Sequence, residues 1–154
     1  MTPVSASVFL RGAWICWLVA CVAAIASPAA ESAWRSSPRE TRDAVRTTVD
    51  AQLAALKAGD LAKAYTFAST GIRRQFSLEV FAAMIRRGYP ALLRQASAEI
   101  GIVRDDRGDR ARVEVTVTDR LGRTMAFRYF LLREDDGWKV EGVLGDERPK
   151  AGDV

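Results

Sequence analysis

The stretch Arg112–Leu131, RVEVTVTDRLGRTMAFRYFL, decides the fold because it holds two alternating segments around one tight turn. Apolar and polar residues alternate over VEVTV, a pattern typical of a strand with one buried face. The turn DRLG suits a left-handed conformation at Gly122, which sets Asp119 opposite Arg123. The stretch therefore predicts an antiparallel hairpin with one apolar face.

The predicted sheet extends this hairpin in both directions. Strands are expected at Ala96–Arg104, Arg110–Asp119, Arg123–Arg133 and Trp138–Gly145, joined by the short loops DDRG, RLG and EDDG. These loops predict an antiparallel meander, with Leu131 opposite Val140 and Phe127 opposite Leu144. The apolar face then consists of Ile100, Ile102, Val113, Val115, Val117, Met125, Phe127, Tyr129, Leu131, Val140 and Leu144.

Helical periodicity precedes the strands and supplies a cover for the apolar face. A first helix is expected from about Thr41, and its apolar residues recur at steps of four, four and three. Gly59 ends it and Asp60 caps the next, while Ser77 caps a third that ends at Gly88. After Pro90 the pattern becomes alternating. The predicted fold class is α+β, with N-terminal helices packed on a curved four-stranded antiparallel sheet.

The segment Asp50–Arg94, DAQLAALKAGDLAKAYTFASTGIRRQFSLEVFAAMIRRGYPALLR, with GWKVEGV at Gly137–Val143, resembles a bacterial family called domain of unknown function 4864. The resemblance covers about Asp43 to Val143. It implies an exported protein with a roll similar to cystatin or to nuclear transport factor 2, and it implies no activity. Its most specific parts are Gly59-Asp60, Phe67-Ala68-Ser69, Ile72, Phe76, Phe81, Gly88-Tyr89 and Trp138.

Residues 1–30 are predicted to be a secretory signal peptide. The strongly apolar part, Ala13–Ala26, follows a single basic residue and is short for a bilayer span. Small residues predict cleavage near Ala29 or Ala30, and the missing Arg-Arg pair favours general secretion to the periplasm or the exterior. Residues 31–40 are then a flexible lead-in, 41–146 a single domain and 147–154 a polar tail.

Two alternatives stay open for the N-terminal segment. Gly12–Ala30 contains nineteen uncharged residues, which nearly reaches the length of an uncleaved membrane anchor. Leu18-Val19-Ala20-Cys21 resembles a lipobox, in which Cys21 would be lipidated. The residues after Cys21 are apolar, whereas a lipoprotein tether is usually polar, and this favours the cleaved signal peptide.

The missing residue types exclude several function classes. Both cysteines, Cys16 and Cys21, lie in the predicted signal peptide, and the chain has no histidine. A mature chain would therefore lack disulfides, a thiol nucleophile, a Ser-His-Asp triad and the usual zinc ligands, so we expect no cofactor and no metal. Without Arg11, 22 basic and 19 acidic residues leave a charge of +3. Nucleic acid is not an expected partner, and membrane contact is expected only through the N-terminal segment.

Four residues are candidates for a pocket between the helices and the sheet. Tyr129 is the inward polar residue of the apolar face, Asp119 lies at its rim, and Tyr65 and Tyr89 approach from the helices. A tyrosine and a carboxylate in an apolar pocket suit an isomerase or a dehydratase. The favoured interpretation is structural: the tyrosines are core aromatics, and Asp119 caps its own hairpin.

The other face of the sheet predicts a partner. Phe130, Leu132 and Val143 should be neighbours among charged residues, and such a patch suits a sheet-to-sheet homodimer. The favoured function is a non-enzymatic small-ligand or protein-binding domain of the bacterial envelope. The alternatives are the Tyr/Asp enzyme and a lipid-anchored envelope protein.

Overall fold

The structure, a computed structural model, describes residues 34–146. Over these residues the helices pack on one antiparallel sheet whose strands follow the chain order β1-β2-β3-β4-β5. The predicted signal peptide, its cleavage residues Ala29 and Ala30, Cys21 and the tail 147–154 lie outside the described residues. The elements are β1 (Arg35–Ser36), α1 (Arg39–Lys57), α2 (Leu61–Thr66), α3 (Thr70–Gln75), α4 (Leu78–Gly88), α5 (Pro90–Leu93), β2 (Gln95–Asp105), β3 (Arg110–Asp119), β4 (Thr124–Glu134) and β5 (Gly137–Asp146).

The predicted number of strands was wrong, because the described residues form five strands rather than four. The additional strand β1 lies in the segment predicted as a flexible lead-in, where Arg35 pairs with Asp105 and Ser36 with Arg104. The Ser37 N–H continues this contact by donating to the Val103 carbonyl at 3.2 Å. A strand of two residues is too short to show an alternating pattern in the sequence.

The helix ends are where the capping residues predict them. Gly59 has φ of +74°, and the N–H groups of Gly59 and Asp60 donate to the carbonyls of Leu56 and Ala55, which closes α1. The Asp60 carboxylate accepts from the Lys63 N–H at 2.9 Å and so begins α2.

A short helix precedes the first predicted strand, and β2 begins at Gln95, one residue before the predicted Ala96. Pro90 is the first residue of the four-residue helix α5, and the alternating pattern starts only after this helix. Proline favours this position because its fixed φ suits a helix and its missing N–H would have no partner in the first turn.

The central hairpin has the predicted register. Val113 pairs with Tyr129, Val115 with Phe127, Val117 with Met125 and, across β4 and β5, Leu131 with Val140.

Two bulges overturn the predicted register at the outer strands. A shift between Ile100 and Val103 turns Val103 into the core and leaves Ile102 66% exposed. A second shift, beside Phe130 and Leu131, sets Phe127 opposite Gly145 and leaves Leu144 59% exposed. Each bulge adds a residue to one strand and so reverses which side chains face inward.

The core lies between the helices and the inner face of the sheet. The stripe Val45, Val49, Leu53 and Leu56 of α1 is buried against the strands, as its spacing predicts. Among residues 34–146, no helix is long and apolar enough to cross a membrane.

Candidate functional site

A small cavity of about 60 Å³ lies between the helices and the inner face of the sheet. Its walls come from α1, α3, α4, α5, β4 and β5, and most of its lining is apolar. Leu56 and Leu92 form part of the wall on the helix side, and Tyr129 and Val140 on the sheet side. A cavity of this size holds a few non-hydrogen atoms, or the buried end of a longer molecule.

Tyr129 is the polar residue at the centre of this site. Its side chain is fully buried, and its hydroxyl has no hydrogen-bond partner in the described part of the chain. Burial raises the pKa of the Tyr129 phenol, and the neighbouring Tyr89 raises it further. The phenol therefore stays neutral, and it can donate a hydrogen bond into the cavity.

Tyr89 lines the same cavity, but its hydroxyl already has a hydrogen-bond partner. It donates to the Val143 carbonyl at 2.7 Å, and its ring lies 6.3 Å from that of Phe127. The residue follows the last turn of α4 directly, and this position turns its side chain towards β5. Tyr89 thus holds the helical layer against the sheet beside Tyr129.

The cavity reaches solvent between α3, α4 and β5. Met84, 37% exposed, Ile72, half-buried, and Glu141, exposed, belong to its lining and mark the opening. Among residues 34–146, Glu141 is the one charged residue of the lining, and no cation contributes to it. Gln52 adds a buried amide, whose Nε2 donates to the Ala64 carbonyl at 3.2 Å.

Asp119 lies at the other end of the sheet. Val113 is the cross-strand partner of Tyr129, and Asp119 is six residues further along β3, a separation of about 20 Å. Desolvation opposes ionisation of Asp119, but hydrogen bonds from the Arg123 side chain and from the Arg123 and Leu121 N–H groups outweigh it. They hold the pKa of the Asp119 carboxyl below its ordinary value.

The comparisons with known proteins identify a family. The family model described as Domain of unknown function (DUF4864) matches residues 38–152. The chain belongs to the DUF4864 family. A search of the curated proteins found no match.

A solved structure with some similarity to this DUF4864 chain comes from Novosphingobium aromaticivorans and is named, provisionally, as an aromatic ring hydroxylase. The two share 14% identity with a TM-score of 0.43, over 71% of this chain and 96% of that one. This likeness is too distant to indicate an activity.

The DUF4864 chain does not bring its four candidate residues into one site. Tyr129 and Tyr89 share the cavity, whereas Asp119 caps its own hairpin, as the favoured interpretation predicted. Tyr65 lies outside the lining, and its hydroxyl donates to the Phe76 carbonyl at 2.5 Å. Its ring packs 5.2 Å from that of Phe81, so Tyr65 joins α2 to the end of α3 and to α4.

Sequence reasoning missed several residues of this site. Val143 was predicted on the outer face, but the β5 bulge sets it opposite Tyr129 and against the core. Gln52 was not predicted as buried, because a lone amide beside an apolar stripe resembles an exposed residue. Gly142, which follows Glu141, was the sequence signal for the β5 bulge, since glycine in a strand often marks a bulge.

The outer sheet face differs accordingly from its prediction. Phe130 and Leu132 are half-buried there, and Leu144 rather than Val143 is their exposed neighbour on β5. The Arg112 guanidinium lies 4.7 Å from the centre of the Trp34 ring. A homodimer through this face stays a prediction.

The described residues offer no metal site. Within residues 34–146 no group of three or more acidic, histidine or cysteine side chains is placed to hold an ion. The site's chemistry is therefore that of an apolar space with one free hydrogen-bond donor.

Proposed function

We propose that this DUF4864 protein is a non-enzymatic exported domain of the bacterial envelope that binds a small neutral molecule in its inner cavity. The observation that carries the proposal is the Tyr129 hydroxyl, fully buried beside the cavity without a partner among residues 34–146. A buried hydroxyl without a partner costs about 1–3 kcal/mol. A ligand atom that accepts from this hydroxyl would recover that free energy on binding.

The arrangement of the sheet supports a cone-shaped roll similar to that of nuclear transport factor 2. Three irregularities interrupt the strand pairing, two in β2 and one between β4 and β5. Bulges bend strands and increase their twist, and a bent sheet under helices encloses an apolar space. Ligands of α+β proteins commonly bind in such a space, where a few polar groups fix their orientation.

The lining determines the chemistry of the ligand. An anion would be desolvated without a compensating cation, because the described part of the chain contributes no lysine or arginine to the lining. A ketone, an alcohol or an amide can accept from Tyr129 at much lower cost. The rest of the ligand should be apolar, and a longer chain can leave past Met84 and Ile72.

The isomerase or dehydratase alternative has weaker support. It needs a carboxylate near Tyr129, and Asp119 is about 20 Å away along the sheet. Proton transfer requires a separation of one hydrogen bond, or one hydrogen bond and a water. Glu141, the nearest candidate by its place in the lining, is exposed at the opening rather than enclosed beside Tyr129.

Methionine-methyl NMR of the full chain tests the binding proposal. The chain has three methionines, of which Met84 lines the cavity and Met125 lies at the opposite end of the sheet. Titration with 2-hexanone should shift the Met84 resonance and leave that of Met125 unchanged. Tyr129→Phe should weaken 2-hexanone binding by roughly fivefold or more, since one neutral hydrogen bond contributes about 1 kcal/mol.

Hexane is the matched control ligand because it has no acceptor. Its binding should be equal in the wild type and in Tyr129→Phe. The variant should also be at least as stable as the wild type, because the hydroxyl it removes is buried without a partner. No shift of Met84 with any ketone, or an equal loss of hexane binding, would contradict the proposal.

Export is tested separately by the mass of the mature N-terminus. Cleavage near Ala29 or Ala30 would leave an unmodified start and a chain without cysteine. A diacylglyceryl mass on Cys21 would support the lipid anchor instead. An intact N-terminus on membrane-bound protein would support the uncleaved anchor.

A further inference from the structure

A second, larger groove lies at the end of the sheet where the β3–β4 hairpin meets α5. Its volume is about 790 Å³, within the range of small-molecule sites, and it shares no lining residue with the inner cavity. One wall is the hairpin and the other is α5 with the end of α1. We call it the hairpin groove.

The hairpin groove is basic. Within residues 34–146, its charged residues are the four cations Lys57, Arg94, Arg120 and Arg123 and the single anion Asp119, a formal charge of +3. Arg123 pairs with Asp119 at 2.7 Å, which neutralises both. Arg94 and Arg120 make no ion pair within residues 34–146, and their guanidinium groups are available to an anion.

The same groove has an apolar surface. Leu93 and Val117 form part of its wall, while Met125 is 40% and Leu121 77% exposed. Met125 lies on the same side of β4 as the inward-facing Phe127 and Tyr129, yet the helices do not cover it. Large apolar side chains exposed together are unfavourable in water, and such a patch beside unpaired cations indicates a binding surface.

We propose that the hairpin groove binds an anionic amphiphile, a single molecule with a carboxylate or phosphate joined to an apolar chain. Arg94 and Arg120 bind the anionic group, because guanidinium groups match carboxylate and phosphate geometry. Leu121 and Met125 contact the chain. The groove holds a whole molecule of this kind, which favours a dispersed amphiphile over a flat membrane surface as the occupant.

Methionine-methyl NMR of the full chain again gives a site-specific test, with decanoate below its micellar concentration as the probe. Decanoate should shift the methyl resonance of Met125 and leave that of Met84 unchanged. The double variant Arg94→Gln/Arg120→Gln should bind decanoate roughly fivefold more weakly, a loss of about 1 kcal/mol that the two exposed charges supply together. Binding should also weaken as ionic strength rises.

Arg42→Gln is the matched control, because Arg42 is exposed on α1 fifteen residues before Lys57, about 22 Å away along the helix. It should bind decanoate as the wild type does. An unchanged Met84 resonance in the double variant shows that its fold is intact.

Three results would overturn the proposal. Decanoate could leave Met125 unshifted, or decanol could bind as tightly as decanoate, which would remove the role of the cations. The protein could instead bind anionic phospholipid vesicles and no dispersed decanoate, which would make the groove a membrane-contact surface. The test is independent of the inner cavity, since 2-hexanone and decanoate report through different methionines.

Discussion

The two edges of the sheet are closed by different means. Along β5, the segment Phe67–Ser69 lies beside the strand as backbone: the Val140 N–H donates to the Phe67 carbonyl, and the Ser69 N–H donates to the Val140 carbonyl, both at 2.8 Å. Ala68 and Ser69 are buried there. Along β2, the strand β1 covers Arg104 and Asp105, and side chains of α1 donate to carbonyls further along the edge. Lys57 donates to the Ala96 carbonyl at 2.6 Å, and Arg46 donates to the Gly101 carbonyl at 2.9 Å.

The contacts at one edge contribute stability, whereas those at the other limit association. A buried backbone contact stabilises the fold, because its loss leaves polar groups without partners. Exposed cations at an edge add little stability but prevent another strand from pairing there. We therefore expect the β5 edge to govern unfolding and the β2 edge to govern association. Variants at Ser69 and Glu134 test the β5 edge, and a double variant at Arg46 and Lys57 tests the β2 edge.

The largest effect is expected at Ser69. Ser69→Pro removes the N–H that donates to Val140 and the hydroxyl that caps α3, although its φ of −60° suits proline. The expected loss in free energy of unfolding is about 3 kcal/mol, measured by urea denaturation. Ser69→Ala keeps the N–H and should lose only about 1 kcal/mol. Equal losses in the two variants would show that the backbone contact contributes nothing.

A smaller loss is expected at Glu134, which anchors the same segment. The Thr70 N–H and hydroxyl both donate to its carboxylate, each at 2.7 Å. Glu134→Gln replaces one acceptor by an amide donor and should cost about 1 kcal/mol in urea denaturation. Glu141→Gln, a glutamate exposed on β5, is the control and should leave stability unchanged. A larger loss of stability in Glu141→Gln than in Glu134→Gln would contradict the anchoring role.

This comparison also explains how far the sequence predicts the structure. The central hairpin and the caps at Gly59, Asp60 and Ser77 depend on neighbours in the chain, and these were predicted correctly. The bulges beside Ile102 and Leu144 depend on contacts from elsewhere. Arg46, for example, donates to the carbonyls at the β2 bulge from a helix more than fifty residues earlier. Local patterns do not contain such contacts.

The candidate site was predictable only in part for the same reason. Tyr129 follows from alternation along β4, but its missing partner depends on all the elements around the cavity. No backbone contact with a strand was predicted for the segment Phe67–Ser69. Its backbone pairing with Val140 joins residues about seventy positions apart, which no local pattern indicates.

At the β2 edge we expect a change in association rather than in stability. Arg46→Met with Lys57→Met removes both cations from the free carbonyls of the strand. The double variant should form larger species than the wild type in sedimentation velocity, with only a small change in urea midpoint. Arg42→Met, which removes a cation without such a contact, should sediment as the wild type does. A large loss of stability without association would show that the β2 edge, like the β5 edge, governs unfolding.

The smallest effect is expected at Asp119, at the β3 end of the central hairpin, and it measures what an ion pair near the surface contributes in this fold. Its pKa is lowered from 3.8 in the folded chain, so its stabilising contribution is fully present above about pH 4 and is lost as the pH falls through the lowered value. Asp119→Asn should therefore have a slightly lower urea midpoint than the wild type at pH 7, and the two midpoints should converge at more acidic pH. Asp50→Asn, an exposed change on α1, should show no such convergence. If the Asp119 difference persisted at acid pH, the loss would come from the turn geometry rather than from the charge. The contributions of Arg46 and Lys57 at the β2 edge would then also have to be assigned to hydrogen-bond geometry rather than to charge.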